Sequence, residues 1–135
     1  MKRNDRLMVL LDTSILLLAV EKPLDLFGEI ERFVNVNHYN VILSHVYDEL
    51  DRMVMTGSPK ERLAARAALA LARRCRLVDF EFPGDADSAI IDFSRKHRVV
   101  VVTNDLLLRR RLRRINVPVL FLRGFDHLEL EGEIY

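Results

Sequence analysis

The chain has 135 residues, 50% of them hydrophobic and 30% charged, with 21 Lys plus Arg set against 20 Asp plus Glu. At this length one core removes roughly 68% of the unfolded chain's surface from water, so folding needs no disulfide or structural metal. A lone cysteine, Cys75, and four scattered histidines exclude a secreted disulfide scaffold and a structural zinc spacing, and fit a reducing, cytoplasmic setting.

The start could mislead, because Lys2, Arg3 and Arg6 precede the apolar residues 7–20 in the manner of a signal peptide. Asp12 argues against that reading: a carboxylate inside such a stretch costs roughly 2.5–3.5 kcal/mol on insertion scales, and Glu21-Lys22-Pro23 offers no small-residue cleavage site. No apolar run approaches the about 18 residues needed to span a bilayer, so no membrane partner is expected. Residues 7–11 read as a buried strand closed by Asp12, with Thr13 and Ser14 behind it. Residues 23–34 read as a helix with Leu26, Ile30, Phe33 and Val34 on one face, followed by a strand at 41–43.

Val46, Leu50, Met53 and Val54 form the next helical stripe, with Glu49 on its apolar side and Asp48 and Asp51 flanking it. Ser58-Pro59-Lys60-Glu61 is a capping box before the alanine-rich helix at 63–74. A strand at 77–80 leads to a helix over 84–97. With Ile90 at zero and about 100° per residue, Asp87 falls roughly 60° away, whereas Asp85 and Asp92 point about 140–160° off. A strand at 99–102 then runs through Thr103-Asn104-Asp105 into a helix ending at Ile115, where Asp105 lies roughly 60° from Leu108. The last strand is predicted at 117–122, and 123–135 at an acidic tail carrying Asp126, Glu129, Glu131 and Glu133. No linker or repeat divides the chain, so residues 1–135 form one domain. Strands alternating with helices predict a three-layer α/β/α sandwich around a mainly parallel, twisted sheet of four to five strands, with ligands at the carboxyl ends of the strands.

Four elements therefore each offer one inward carboxylate: Asp12, Glu49, Asp87 and Asp105. Any one alone reads as an acid favoured by a helix N-terminus. Together at one end of a sheet they repel, at about 4 kcal/mol per pair at 4 Å and an effective dielectric of 20. A cation relieves that repulsion, and a purely oxygen donor set suits Mg²⁺ or Mn²⁺, ions that activate water for phosphodiester cleavage.

At these residues, in Asp12-Thr13-Ser14, Val46-Tyr47-Asp48-Glu49-Leu50, Asp85-Ala86-Asp87-Ser88-Ala89-Ile90 and Val101-Val102-Thr103-Asn104-Asp105, the sequence resembles the PIN-domain ribonucleases over nearly its whole length. Arg123-Gly124, followed by His127-Leu128-Glu129-Leu130-Glu131-Gly132, puts it nearest the archaeal single-domain relatives of the small-subunit ribosomal-RNA processing endonucleases, ahead of the toxin branch. The resemblance implies a Mg²⁺- or Mn²⁺-dependent endoribonuclease in which Asp12, Glu49, Asp87 and Asp105 hold the metal, directly or through water. Ser14 and Asn104 would orient those carboxylates, and Asp85 would be the alternative third acid. It leaves open a homo-oligomer, an antitoxin-like or ribosome-assembly partner, and a module that binds RNA but cleaves poorly.

Net charge of +1 gives no general attraction to RNA, so binding falls to local clusters. One is Arg109, Arg110, Arg111, Arg113 and Arg114; another runs along the alanine-rich helix from Lys60 to Arg76. An ordinary solvated face is an equal reading of the first, although Arg111 leans toward Asp105. His45, four residues before Glu49, reads as a helix-surface histidine rather than a ligand, and Cys75 as a small packing residue. The tail reads as solvated, or as cover for a basic surface on a neighbouring subunit. Two other enzymes with acids at strand ends are excluded: a phosphoacceptor receiver lacks its lysine in Leu120-Phe121-Leu122-Arg123, and a haloacid-dehalogenase-type phosphatase lacks a second aspartate at Ser14. No phosphate-binding glycine loop is present.

Overall fold

The computed structural model describes residues 6–135; Lys2 and Arg3 of the signal-like start lie outside the described residues. Twelve elements follow one another among them: β1 (Leu7–Leu11), α1 (Thr13–Glu21), α2 (Leu26–Phe33), β2 (His38–Leu43), α3 (Ser44–Thr56), α4 (Pro59–Ala72), β3 (Arg76–Val78), α5 (Ala86–Lys96), β4 (Val99–Val102), α6 (Leu106–Arg114), β5 (Val119–Arg123) and β6 (His127–Glu131). The strands form one sheet in the order β3-β2-β1-β4-β5-β6, parallel except for β6. Among the described residues no helix is long and apolar enough to cross a membrane.

Position in the sheet explains the strand sequences. β1 and β4 lie at the centre between parallel neighbours, so both faces are covered, and all four valines of β4 are buried. The helix boundaries follow from caps. Asp25, Ser58, Asp85 and Asp105 each accept a backbone amide of the turn they open, so α2 begins at Leu26 rather than residue 23, α5 at Ala86 and α6 at Leu106. The capping box at Ser58 and Glu61 forms as its sequence predicts. α1 carries no periodic contrast, because residues 15–20 are continuously apolar.

The largest departure from the sequence reading is at the end of the chain. The sheet has six strands, because residues 127–131 of the expected tail pair antiparallel with β5. Two glycines frame this hairpin. Gly124 (φ +71°) turns the chain between the strands, and Gly132 (φ +92°) leaves room for Arg113, whose guanidinium occupies the space a Cβ would take. The outer edge of β6 is covered from α2. The Leu128 amide donates to Glu29 Oε1 at 2.8 Å, and Arg32 donates to the Leu128 carbonyl at 3.4 Å, so two side chains stand where a further strand would otherwise pair.

Candidate active site

Strand order reverses between β1 and β4, the place where an open parallel sheet leaves a crevice at its carboxyl end. The register there pairs Leu11 with Val102, which sets Asp12 beside Thr103 one residue further on. Both are buried, Asp12 at 4% exposure and Thr103 at 0%. The Thr103 hydroxyl donates to Asp12 Oδ2 and accepts the Asp105 amide at 3.0 Å, linking the acid of β1 to the acid after β4. Ser14 Oγ donates to Asp12 Oδ1 at 2.8 Å and accepts the Asn104 amide at 2.9 Å. The Ile15 amide completes the shell around Asp12 at 3.0 Å.

The remaining acids arrive on helices. α3 starts directly after β2, and its Glu49 takes a hydrogen bond from the Thr13 hydroxyl across the cleft. The first turn of α3 also fixes the loop before α5. Ser44 Oγ accepts the Phe80 amide at 3.2 Å, and His45 Nε2 lies 2.7 Å from the Phe82 carbonyl, with its ring against Phe80 and Phe82. His45 is thus half-buried, not a surface histidine, and it serves the loop that delivers Asp85 and Asp87. Asp105 caps α6, taking the Leu107 and Leu108 amides on Oδ1 at 2.9 and 3.1 Å.

Asp12, Thr13, Ser14, Glu49, Asp85, Asp87 and Asp105 line one cleft of about 360 Å³. All four acids expected to face inward are there, and so is Asp85. The helical angle places Asp85 away from Asp87, but Asp85 is the cap of α5 and not part of its spiral, so the angle does not apply to it. Asp92 faces elsewhere, paired with Lys96 at 2.9 Å. Asn104 contributes its backbone N–H through Ser14; its side chain makes no hydrogen bond to an acid. The residues that sequence reasoning missed are Thr103 and Thr13. The signal for Thr103 was a polar residue ending a run of four valines, which in a central strand is buried and must find partners.

The electrostatics match the crowding. Burial holds the Asp12 carboxyl up at about 6, against hydrogen bonds from Thr103, Ile15 and Ser14 that pull it down, and the charge of Asp87 adds to the rise. Asp87 is raised as well, first by burial and then by the charges of Asp105, Asp85 and Glu49, with Arg111 opposing. Asp85 is lowered, mainly by the Ser88 amide and then by the Ser88 hydroxyl. Among the described residues no cleft acid forms an ion pair with Lys or Arg, and no three acids close on a single ion-sized point. The donor set is all oxygen and converges as like charges. That suits Mg²⁺, which is usually held by one or two carboxylates and otherwise by water and substrate phosphate.

The expected arginine cluster divides. Arg109 pairs with Glu131 at 2.8 Å and lies 3.7 Å from the Phe121 ring centre, while Arg113 donates to the Val117 carbonyl at 3.1 Å, so both are engaged in binding α6 to the C-terminal hairpin and its approach. Arg110 and Arg111 are exposed. The acidic tail covers basic groups of its own chain, through Glu131 to Arg109 and Glu129 to Arg123 at 2.9 Å. Cys75 is a packing residue whose thiol burial pushes up to about 11.

The likeness to known proteins extends over this whole frame. Residues 9–125 match the PIN like domain family. Ribonuclease VapC4 of Methanocaldococcus jannaschii is 33% identical over 126 residues, covering 91% of this chain and 95% of its own. Ribonuclease VapC9 of Archaeoglobus fulgidus is 29% identical over 122 residues, covering 90% and 87%. Among solved structures, the PIN domain endonuclease Utp24 superposes with a TM-score of 0.75 at 23% identity, over 94% of this chain and 92% of that one. VapBC-1 from nontypeable Haemophilus influenzae gives 0.50 at 16% identity, over 79% and 93%. At such identities these two likenesses speak to the fold alone. A match running from β1 to the turn after β5, together with a relative of nearly equal length at 33% identity, makes this chain a member of the PIN-like domain family.

Proposed function

We propose that this chain is a Mg²⁺- or Mn²⁺-dependent endoribonuclease that hydrolyses phosphodiester bonds in RNA processing. The observation that carries the reading is the cleft lined by Asp12, Glu49, Asp85, Asp87 and Asp105, none of which is paired with a Lys or Arg among the described residues. The ribonuclease relatives, similar over some nine-tenths of the chain, support it. Asp12, Glu49, Asp87 and Asp105 are the groups that would hold the ion, directly or through water, with Asp85 at the rim. When bound, a divalent ion supplies an activated water and offsets charge on the phosphate.

The protein's own contribution is positioning. Thr103 and Ser14 fix both oxygens of Asp12, and the α6 amides fix Asp105, so two acids from different strands keep their orientation without a metal. Thr13 restrains Glu49 on the facing wall. Cleavage of structured RNAs with Mg²⁺ or Mn²⁺, measured beside Asp12→Asn and Asp105→Asn, tests the reading. Each variant is expected to lose roughly 100-fold or more in rate; metal-independent cleavage, or full activity in both, would overturn it. A second reading keeps the chemistry and adds a small protein inhibitor, as in a toxin held by its antitoxin; the VapC ribonucleases among the relatives favour it. A cotranscribed small protein that abolishes cleavage when added is the result that selects it.

A further inference from the structure

A second cleft, of about 320 Å³, lies beside the acidic one, between the start of α6 and the end of β5. The two share a wall, because Asp105 lines both. On the far side the lining changes from carboxylates to Arg109, Arg123 and Phe121. Phe121 is 7% exposed, and the guanidiniums of Arg109 and Arg123 lie 3.7 and 5.4 Å from its ring centre. Each guanidinium is also held by a carboxylate of β6, Arg109 by Glu131 and Arg123 by Glu129, and in both pairs the contact is made through Nε. Among the described residues neither arginine donates a hydrogen bond through Nη, so outer donors of both remain for a ligand. Planar, charge-assisted donors fixed in this way recognise phosphate. The negative charge of Asp105 is partly answered on this side by the two α6 amides that it caps.

We propose that this cleft is a phosphate subsite, in which Arg109 and Arg123 hold the backbone of single-stranded RNA next to the bond lying over the acids. The assignment rests on the ribonuclease reading for its choice of ligand, but its test does not need turnover. Neither arginine is a catalytic residue; both position the strand. The ring of Phe121 serves as the platform for the arginines and not for a base, since Arg109 covers it.

The test is binding of a labelled single-stranded RNA oligonucleotide to the full chain carrying Asp12→Asn, in EDTA, over a range of salt. Arg123→Gln, at the exposed rim, is expected to weaken binding about 5- to 10-fold and to reduce the salt slope by about 0.7, the value for one phosphate contact on a single strand. Arg109→Lys keeps the charge and loses the planar fork, and is expected to weaken binding with the slope retained. Arg95→Gln, an equal charge change at the exposed last turn of α5 and outside both basic clusters, should leave affinity and slope unchanged. In the active chain Arg123→Gln should raise KM and leave kcat unchanged. Equal affinity and slope for the Arg123→Gln and Arg95→Gln proteins would overturn the subsite while leaving the nuclease standing. Weakened binding by Arg123→Gln in a chain that cleaves no RNA would support the subsite and overturn the nuclease.

Discussion

The acids of the cleft and the acids of the C-terminal strand are treated in opposite ways by the same fold. Glu129 and Glu131 on β6 are each joined to an arginine, and Glu29 and Asp92 on helices are joined to Arg32 and Lys96. Asp12, Glu49 and Asp105 receive hydroxyl or amide donors, Asp87 chiefly the charges of the other acids, and among the described residues none of the four forms an ion pair with Lys or Arg. The chain has 21 lysines and arginines, so this is not a shortage of cations. It is placement: Arg111, whose charge reaches both Asp85 and Asp87, forms no ion pair with either. Carboxylates on the outside of the fold are paired with cations, and those of the cleft are held oriented by hydroxyls and amides instead.

The contrast can be broken most severely through the hydroxyl that joins the two central acids. Thr103→Val keeps the shape of a fully buried side chain but removes the donor to Asp12 and the acceptor for the Asp105 amide. Cleavage is expected to fall about 10- to 100-fold, the usual effect of losing a group that orients a metal-binding carboxylate, while circular dichroism stays that of a folded chain. A loss as large as that of Asp105→Asn would show that Thr103 does more than orient.

Stability separates the two groups of acids by sign. The Asp12 carboxyl titrates near 6 when folded and near its ordinary 3.8 when unfolded, so between these values the folded chain holds the additional proton. Stability of the metal-free protein therefore falls as pH rises from about 4 to 6, and the loss from this group, about 3 kcal/mol, is complete above 6. Asp12→Asn, which still suits an N-cap, is expected to raise Tm by a few degrees at pH 7.5 in EDTA and to bring no gain at pH 4. Glu131→Gln should do the reverse on a smaller scale, lowering stability by about 0.2–1 kcal/mol, because its partner Arg109 loses an ion pair at the protein surface. Denaturant midpoints for the two variants, measured side by side, check both signs.

The parts of this arrangement that were legible in the sequence are those governed by local periodicity. Buried strands, the capping box and the inward side of each helix follow from spacing, and they brought Asp12, Glu49, Asp87 and Asp105 to one cleft before any coordinates. The helical angle misplaced Asp85, which caps α5 and points by its own backbone angles, although the family resemblance offered it as the alternative third acid. The strict alternation in His127-Leu128-Glu129-Leu130-Glu131 marks a half-buried strand, but its acidic character suggested a solvated tail. That one strand decided much else. It takes up Arg109 through Glu131 and leads to Gly132, whose missing Cβ leaves room for Arg113, contacts between residues distant in the chain that no local pattern states, and across the hairpin it pairs Glu129 with Arg123.

The proposed function has the cleft acids repel one another until a divalent ion joins them. Its most direct test is thermal unfolding of the wild type, Asp12→Asn and Asp87→Asn at pH 7.5 over a titration of Mn²⁺. The account predicts that Tm of the wild type climbs with metal, by the equivalent of about 2.7 kcal/mol at 100 times the dissociation constant, and that both variants respond weakly or not at all. An equal rise in all three proteins, or none in the wild type, would contradict it.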